Sequence, residues 1–152
     1  MNKTKRKRKE DNMLGDKQED NEIKKEYLNR YIDCKRASKR IEEQIEELKT
    51  NKMFPSMVIS GMPSAHSKSD LSDYIVKLDE LISELIRARY KKINTYTEIF
   101  KQIEIIDDEN EKEVLTLKYI NGYKWEFIAD EMNYSCRQIH NIHRNALSKF
   151  IL

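Results

Sequence analysis

The chain has 152 residues, 37% of them charged and 38% hydrophobic, with only three glycines and two prolines. That scarcity of chain breakers argues against a turn-rich sheet protein and for long helices, and the length suits one compact domain or two small ones. A formal net charge of +2 supplies no global field to recruit nucleic acid, so any such role must rest on how charge is distributed.

The first segment is polar. Lys3, Lys5, Arg6, Lys7, Arg8 and Lys9 form a basic run, and the sign reverses at Glu10, Asp11, Asp16, Glu19 and Asp20. Residues 1–20 have little apolar area to bury and are expected to be a disordered basic/acidic arm. It would either touch DNA phosphates or act as a solubilising tail.

Residues 22–51 predict one long helix. Ile23, Tyr27, Tyr31, Cys34, Ala37 or Ser38, Ile41, Ile45 and Leu48 recur at steps of three and four, close to a heptad, opposite a face of Lys, Arg and Glu. A helix so long and one-sided needs a partner. Pro55, Gly61 and Pro63 interrupt the pattern over residues 50–69. The apolar residues there, among them Phe54, Met57, Val58 and Ile59, are expected to close the open end of a helix pair. Residues 71–106 predict the second long helix, capped by Ser69 or Asp70. Its stripe runs Leu71, Tyr74 or Ile75, Leu78, Leu81 or Ile82, Leu85, Ala88 or Arg89, Tyr96, Ile99 or Phe100, and Ile103. Residues 21–106 thus read as a long, coiled-coil-like antiparallel hairpin. Its two stripes exceed what one hairpin hides, so a homo-oligomer, dimer or higher, is expected.

Residues 107–152 read as a small separate domain. A helix over 109–120 carries Val114, Leu115 and Leu117 and stops at Asn121-Gly122; a second over 124–132 carries Trp125, Ile128, Ala129 and Met132. Asn133-Tyr134 is the turn, Ser135 the N-cap, and 136–150 the third helix. A short helix, a tight turn and a second helix with an exposed polar face make the helix-turn-helix pattern, so the fold class is all-α. The third helix has no acidic residue. Ile139, Ile142, Ala146, Leu147 and Phe150 supply one buried stripe, and Arg137, Gln138, His140, Asn141 and Arg144 fill the rest, with His143 adding to the basic character. Double-stranded DNA is the expected partner. Ser135 would leave helix-terminal amides near a phosphate, Arg137 would fork onto guanine and Gln138 would pair with adenine. Asn141, Arg144 and His140 extend that surface, and Lys124 and Lys149 would meet phosphates.

Other chemistry finds little support. Asp107, Asp108 and Glu109 are acids suited to a helix N-terminus, with no glycine-rich phosphate loop or metal-spaced partner. His66, His140 and His143 offer no metal site, since His140 and His143 roughly share a helix face but a third ligand is missing. No enzyme activity, cofactor or metal is expected. Cys34 and Cys136 lie far apart with no metal-ligand spacing, which fits a reducing, cytoplasmic setting. No apolar run approaches the roughly 20 residues of a membrane helix, so no membrane partner is expected, and the basic start lacks the apolar segment of a secretory signal.

The run from Glu113 to Gly122, then Lys124-Trp125-Glu126-Phe127-Ile128-Ala129, Met132-Asn133-Tyr134-Ser135, Gln138-Ile139 and Arg144-Asn145-Ala146-Leu147, resembles the fourth conserved region of bacterial sigma factors. In that resemblance Ser135 matches the serine that opens the recognition helix, and Arg144 to Leu147 its usual close. With the charged helix, the Gly61-Met62-Pro63 turn and the second long helix upstream, the chain resembles small phage and prophage regulators of the RinA and ArpU type. The resemblance implies a sequence-specific transcriptional regulator in a bacterial host cytoplasm, with RNA polymerase as a further candidate partner. It lacks the sigma domain that melts the promoter, so a complete sigma factor is not expected. A DNA-packaging recognition protein, like a small terminase subunit, and a helical adaptor that binds no DNA are the alternatives.

Overall fold

A computed structural model describes residues 3–53 and 67–152, with side chains described for 19–50 and 71–152. All of its regular structure is helical. Helix α1 spans Lys3–Met53, α2 Ser67–Glu104 and α3 Glu109–Leu115; a π-helical turn follows at Thr116–Asn121, then α4 at Trp125–Glu131 and α5 at Cys136–Lys149. Of the expected loop 50–69, residues 54–66 lie outside the described residues, and 50–53 and 67–69 belong instead to the ends of α1 and α2. None of the described helices is long and apolar enough to cross a membrane.

Two further boundaries differ from the sequence reading. Residues 1–20 were expected to be disordered, yet α1 is helical from Lys3. Lys, Arg, Glu and Gln are strong helix formers, and a helix already formed downstream adds one hydrogen bond per residue as it propagates, without a new nucleation cost. The second difference concerns residue 107. Met1–Ile32 and Thr95–Leu152 make one compact unit and Asp33–Asn94 another, so the small C-terminal helices share a core with parts of both long ones.

The two long helices pack closely. In the first unit Leu28 is fully buried with Ile99, Ile103 and Ile106. Tyr31 meets Tyr96 at 5.4 Å between ring centres, and Arg30 reaches Glu98 at 3.5 Å, so residue numbers rise along one helix as they fall along the other. In the second unit Ser38, Ile41 and Ile45 are the buried positions of α1, and Arg89 of α2 holds Glu42 through Nε and a terminal nitrogen at 3.2 and 2.6 Å. The sequence left Tyr74 or Ile75, and Leu81 or Ile82, open as inward positions. Tyr74 and Leu81 are the half-buried members, and Ile75 and Ile82 are exposed.

Two adjoining clusters hold the rest of the first unit. Leu115, Tyr119, Ala146, Leu147 and Phe150 join Leu28, Ile99, Ile103 and Ile106 in one. Val114, Ile128, Ala129 and Ile139 form the other, edged by Leu117, Trp125, Met132, Tyr134 and Ile142. Val114 and Leu115 are sequence neighbours facing different clusters, which makes α3 the wedge between them. Each fully buried aliphatic side chain contributes about 1.5–3 kcal/mol relative to exposure. Residues 116–120, expected as α-helix, form with Asn121 a π turn instead, which ends at Gly122 with φ +80. Only glycine adopts that left-handed conformation without strain, and a Cβ there would lie 3.1 Å from the Ile32 side chain.

Candidate nucleic-acid interface

The site is assembled by caps and by one apolar stripe. Asp108 opens α3, its side chain accepting from the Glu111 amide at 3.1 Å. Helix α4 runs for seven residues from its N-cap Lys124. It closes as the Tyr134 amide donates to the Ala129 carbonyl at 2.9 Å and the Asn133 amide to the Asp130 carbonyl at 3.2 Å. Asn133 takes φ 56, as the residue after such a helix end must, and asparagine tolerates it better than most. Ser135 then caps α5, its Oγ accepting from the Gln138 amide at 3.2 Å. This cap satisfies a helix-start amide that would otherwise need water, and is worth about 1 kcal/mol.

Helix α5 packs on both α3 and α4. Ile139, Ala146 and Leu147 are buried along it, and Phe150 closes it. Opposite them Arg137, Gln138, Asn141 and Arg144 are all exposed. Arg137, Asn141 and Arg144 follow one another at steps of four and three, so they share one stripe about two turns long. Among the described residues no acid pairs with Arg137, Arg144 or Lys124. An exposed cationic and amide face with its donors uncommitted is chemically able to meet phosphate oxygens and base edges.

The other expected contacts are placed differently. His140 is exposed at the edge of this face, its ring 4.7 Å from that of Trp125. Lys149 is not uncommitted. Its ammonium lies 2.9 Å from both carboxylate oxygens of Glu111, with the hydrogen bond to Oε1, and that ion pair raises its pKa. Glu111 is buried, so Lys149 ties the end of α5 to the start of α3.

His143, grouped by sequence with the basic residues, is buried instead. It shares a 2.9 Å hydrogen bond with the Tyr119 hydroxyl, and its ring stands edge-on to Trp125 at 4.8 Å. Burial lowers its pKa to about 4, helped by the charges of Lys25, His140 and Lys118. Burial also raises the Tyr119 phenol above its usual range, with Glu22 adding to the effect. Both groups are therefore neutral near pH 7 and belong to the scaffold. The signal was in the sequence: His143 is four residues after Ile139 and three before Ala146, on the apolar stripe. Lys118 lies over Trp125 at 4.5 Å, so one indole carries a cation and two imidazoles and braces α4 against α5. Among the described residues no group of three or more His, Cys, Asp or Glu is gathered to hold a metal ion. Compared with known proteins, the chain matches no family model, and neither a curated protein nor a solved structure at a significant level.

Proposed function

We propose that this protein binds double-stranded DNA in a sequence-specific manner and regulates transcription, with α4 and α5 as a helix-turn-helix carried on an antiparallel pair of long helices. The observation that carries the reading is the exposed face of Arg137, Gln138, Asn141 and Arg144 on α5, a helix without an acidic residue. In this reading α5 lies in the major groove, where its first turn meets base edges. Ser135 leaves amides toward a phosphate, Arg137 takes guanine, Gln138 takes adenine, and Lys124 and Arg144 neutralise phosphates. His140 and Asn141 flank the contact. The resemblance to sigma region 4 supports regulation of a promoter, and the wider resemblance to regulators of the RinA and ArpU type is the ground for placing the protein among phage-encoded regulators.

The test is duplex affinity as a function of salt. Each phosphate contact steepens the fall of log affinity with log salt by about 0.9. Lys124→Ala and Arg144→Ala should each flatten the slope by roughly one such contact and weaken all duplexes alike. Lys149→Ala is the internal control. Because its ammonium serves Glu111, this change should lower the melting temperature and leave the slope as in wild type. Slopes unchanged in Lys124→Ala and Arg144→Ala would remove these residues from the interface.

A further inference from the structure

Helix α2 presents two apolar faces within the second compact unit. One is the half-buried row Tyr74, Leu78, Leu81, Leu85 and Ala88. The other is open: Leu71 is 58% exposed, Ile75 55%, Ile82 41%, Ile86 63% and Ile93 59%. At about 100° per residue these five fall within an arc of roughly 60°. Five large aliphatic side chains in so narrow a stripe over some twenty residues, with Val76 and Tyr90 also exposed outside it, exceed the scattered surface hydrophobics of an ordinary helix.

Charge on the same helix is divided end from end. Between Leu71 and Ile93, the span of the stripe, Asp73, Asp79, Glu80 and Glu84 make the first part acidic against Lys77 alone, and Arg87, Arg89, Lys91 and Lys92 make the second part basic with no acid after Glu84. Two copies packed in parallel would set acid on acid and base on base. Packed antiparallel, each acidic part is level with a basic one; Asp79 and Arg89 border the stripe, and the other charges stand about 90° or more from its centre, so they bias the orientation only at longer range. The apolar register agrees with this choice. About the level of Glu84 four of the five stripe residues form a symmetric set, so Ile75 faces the partner's Ile93 and Ile82 faces the partner's Ile86, while Leu71 lies level with the partner's Thr97. A two-fold axis there makes the patch self-complementary, as an isologous dimer requires.

We infer that the protein forms a homodimer in which the exposed stripe of α2 packs antiparallel on the same stripe of a second copy. This inference does not depend on DNA binding, since none of its residues belongs to the α5 face.

The experiment combines mass in solution with cysteine cross-linking. Wild type at tens of micromolar should give the dimer mass by light scattering. The Ile82→Glu/Ile86→Glu variant should give the monomer mass with an unchanged circular dichroism spectrum, because both side chains are already exposed. For orientation, Ile75→Cys and Ile93→Cys are each placed in a chain whose Cys34 and Cys136 are replaced by Ala and Ser and whose helicity matches wild type. Antiparallel packing leaves two copies of Cys at 75 separated by about 27 Å along the axis, from 1.5 Å per residue. The Ile75→Cys protein alone should therefore stay unlinked on oxidation, and an equimolar mixture with Ile93→Cys should yield a mixed covalent dimer. A monomeric wild type, a dimer that survives both glutamates, or efficient linkage of Ile75→Cys to itself would each overturn the inference.

Discussion

Replacing Ile139 by Ala should destabilise the protein by about 2–5 kcal/mol. Ile139 has no exposed surface and joins Val114, Ile128 and Ala129 in the cluster that seats α5 on α3 and α4. The lost side chain leaves a cavity bounded by helices that are themselves capped and fixed, so collapse around it is limited. A loss of that size is a large fraction of the roughly 5–15 kcal/mol that stabilises a typical domain. Denaturant titration measures it, and exposed Gln138→Ala should stay within about 0.5 kcal/mol of wild type. Equal effects of the two changes would mean that α5 does not bury the face described.

Acid should destabilise the protein through His143 before most carboxylates protonate. In the unfolded chain this imidazole titrates near 6.5, and in the folded protein near 4. Between these values the unfolded state binds a proton that the folded state refuses. The contribution is therefore complete above about pH 6.5 and disappears as pH falls toward 4, for a total of about 3 kcal/mol. His143→Gln keeps a polar partner for Tyr119 but cannot titrate. Between about pH 7 and pH 5 the wild type should lose about 2 kcal/mol more than the variant. Parallel stability profiles would show that His143 is solvated and protonates freely.

The long helices were legible because their apolar residues repeat at three and four with no proline inside them. Two helix ends were legible for a related reason, whereas Ser69 and Asp70, expected to cap the second long helix, lie inside α2, which begins at Ser67. Ser135 and Gly122 are residue types whose chemistry fits one position in a helix end, and both occupy it. What the repeat could not reveal is the burial of a helix on more than one side. Tyr27 and Tyr31 lie on the heptad row and are half-buried, whereas Leu28, off that row, has no exposed surface. Leu28 is enclosed by residues of α2, α3 and α5, contacts that depend on a chain more than sixty residues away. Lys24 is also buried, and its ammonium donates to the Leu147 carbonyl at 3.1 Å. A lysine in a charged stretch gives no sign of such a role. The pairing of Lys149 with Glu111 was hidden likewise, by thirty-eight residues of separation. The α5 face itself was read directly, since which side of a helix is polar needs only its own sequence.

The reading of α5 as a DNA-recognition helix is tested most directly by selecting from a pool of randomised duplexes with wild type and Gln138→Ala side by side, with folding checked by circular dichroism. The account predicts that wild type enriches a defined sequence. It predicts that Gln138→Ala enriches the same sequence with preference relaxed at one adenine position, a loss of about 1–3 kcal/mol of discrimination there. No enrichment by wild type at low salt, or the same preference at every position for both proteins, would contradict it.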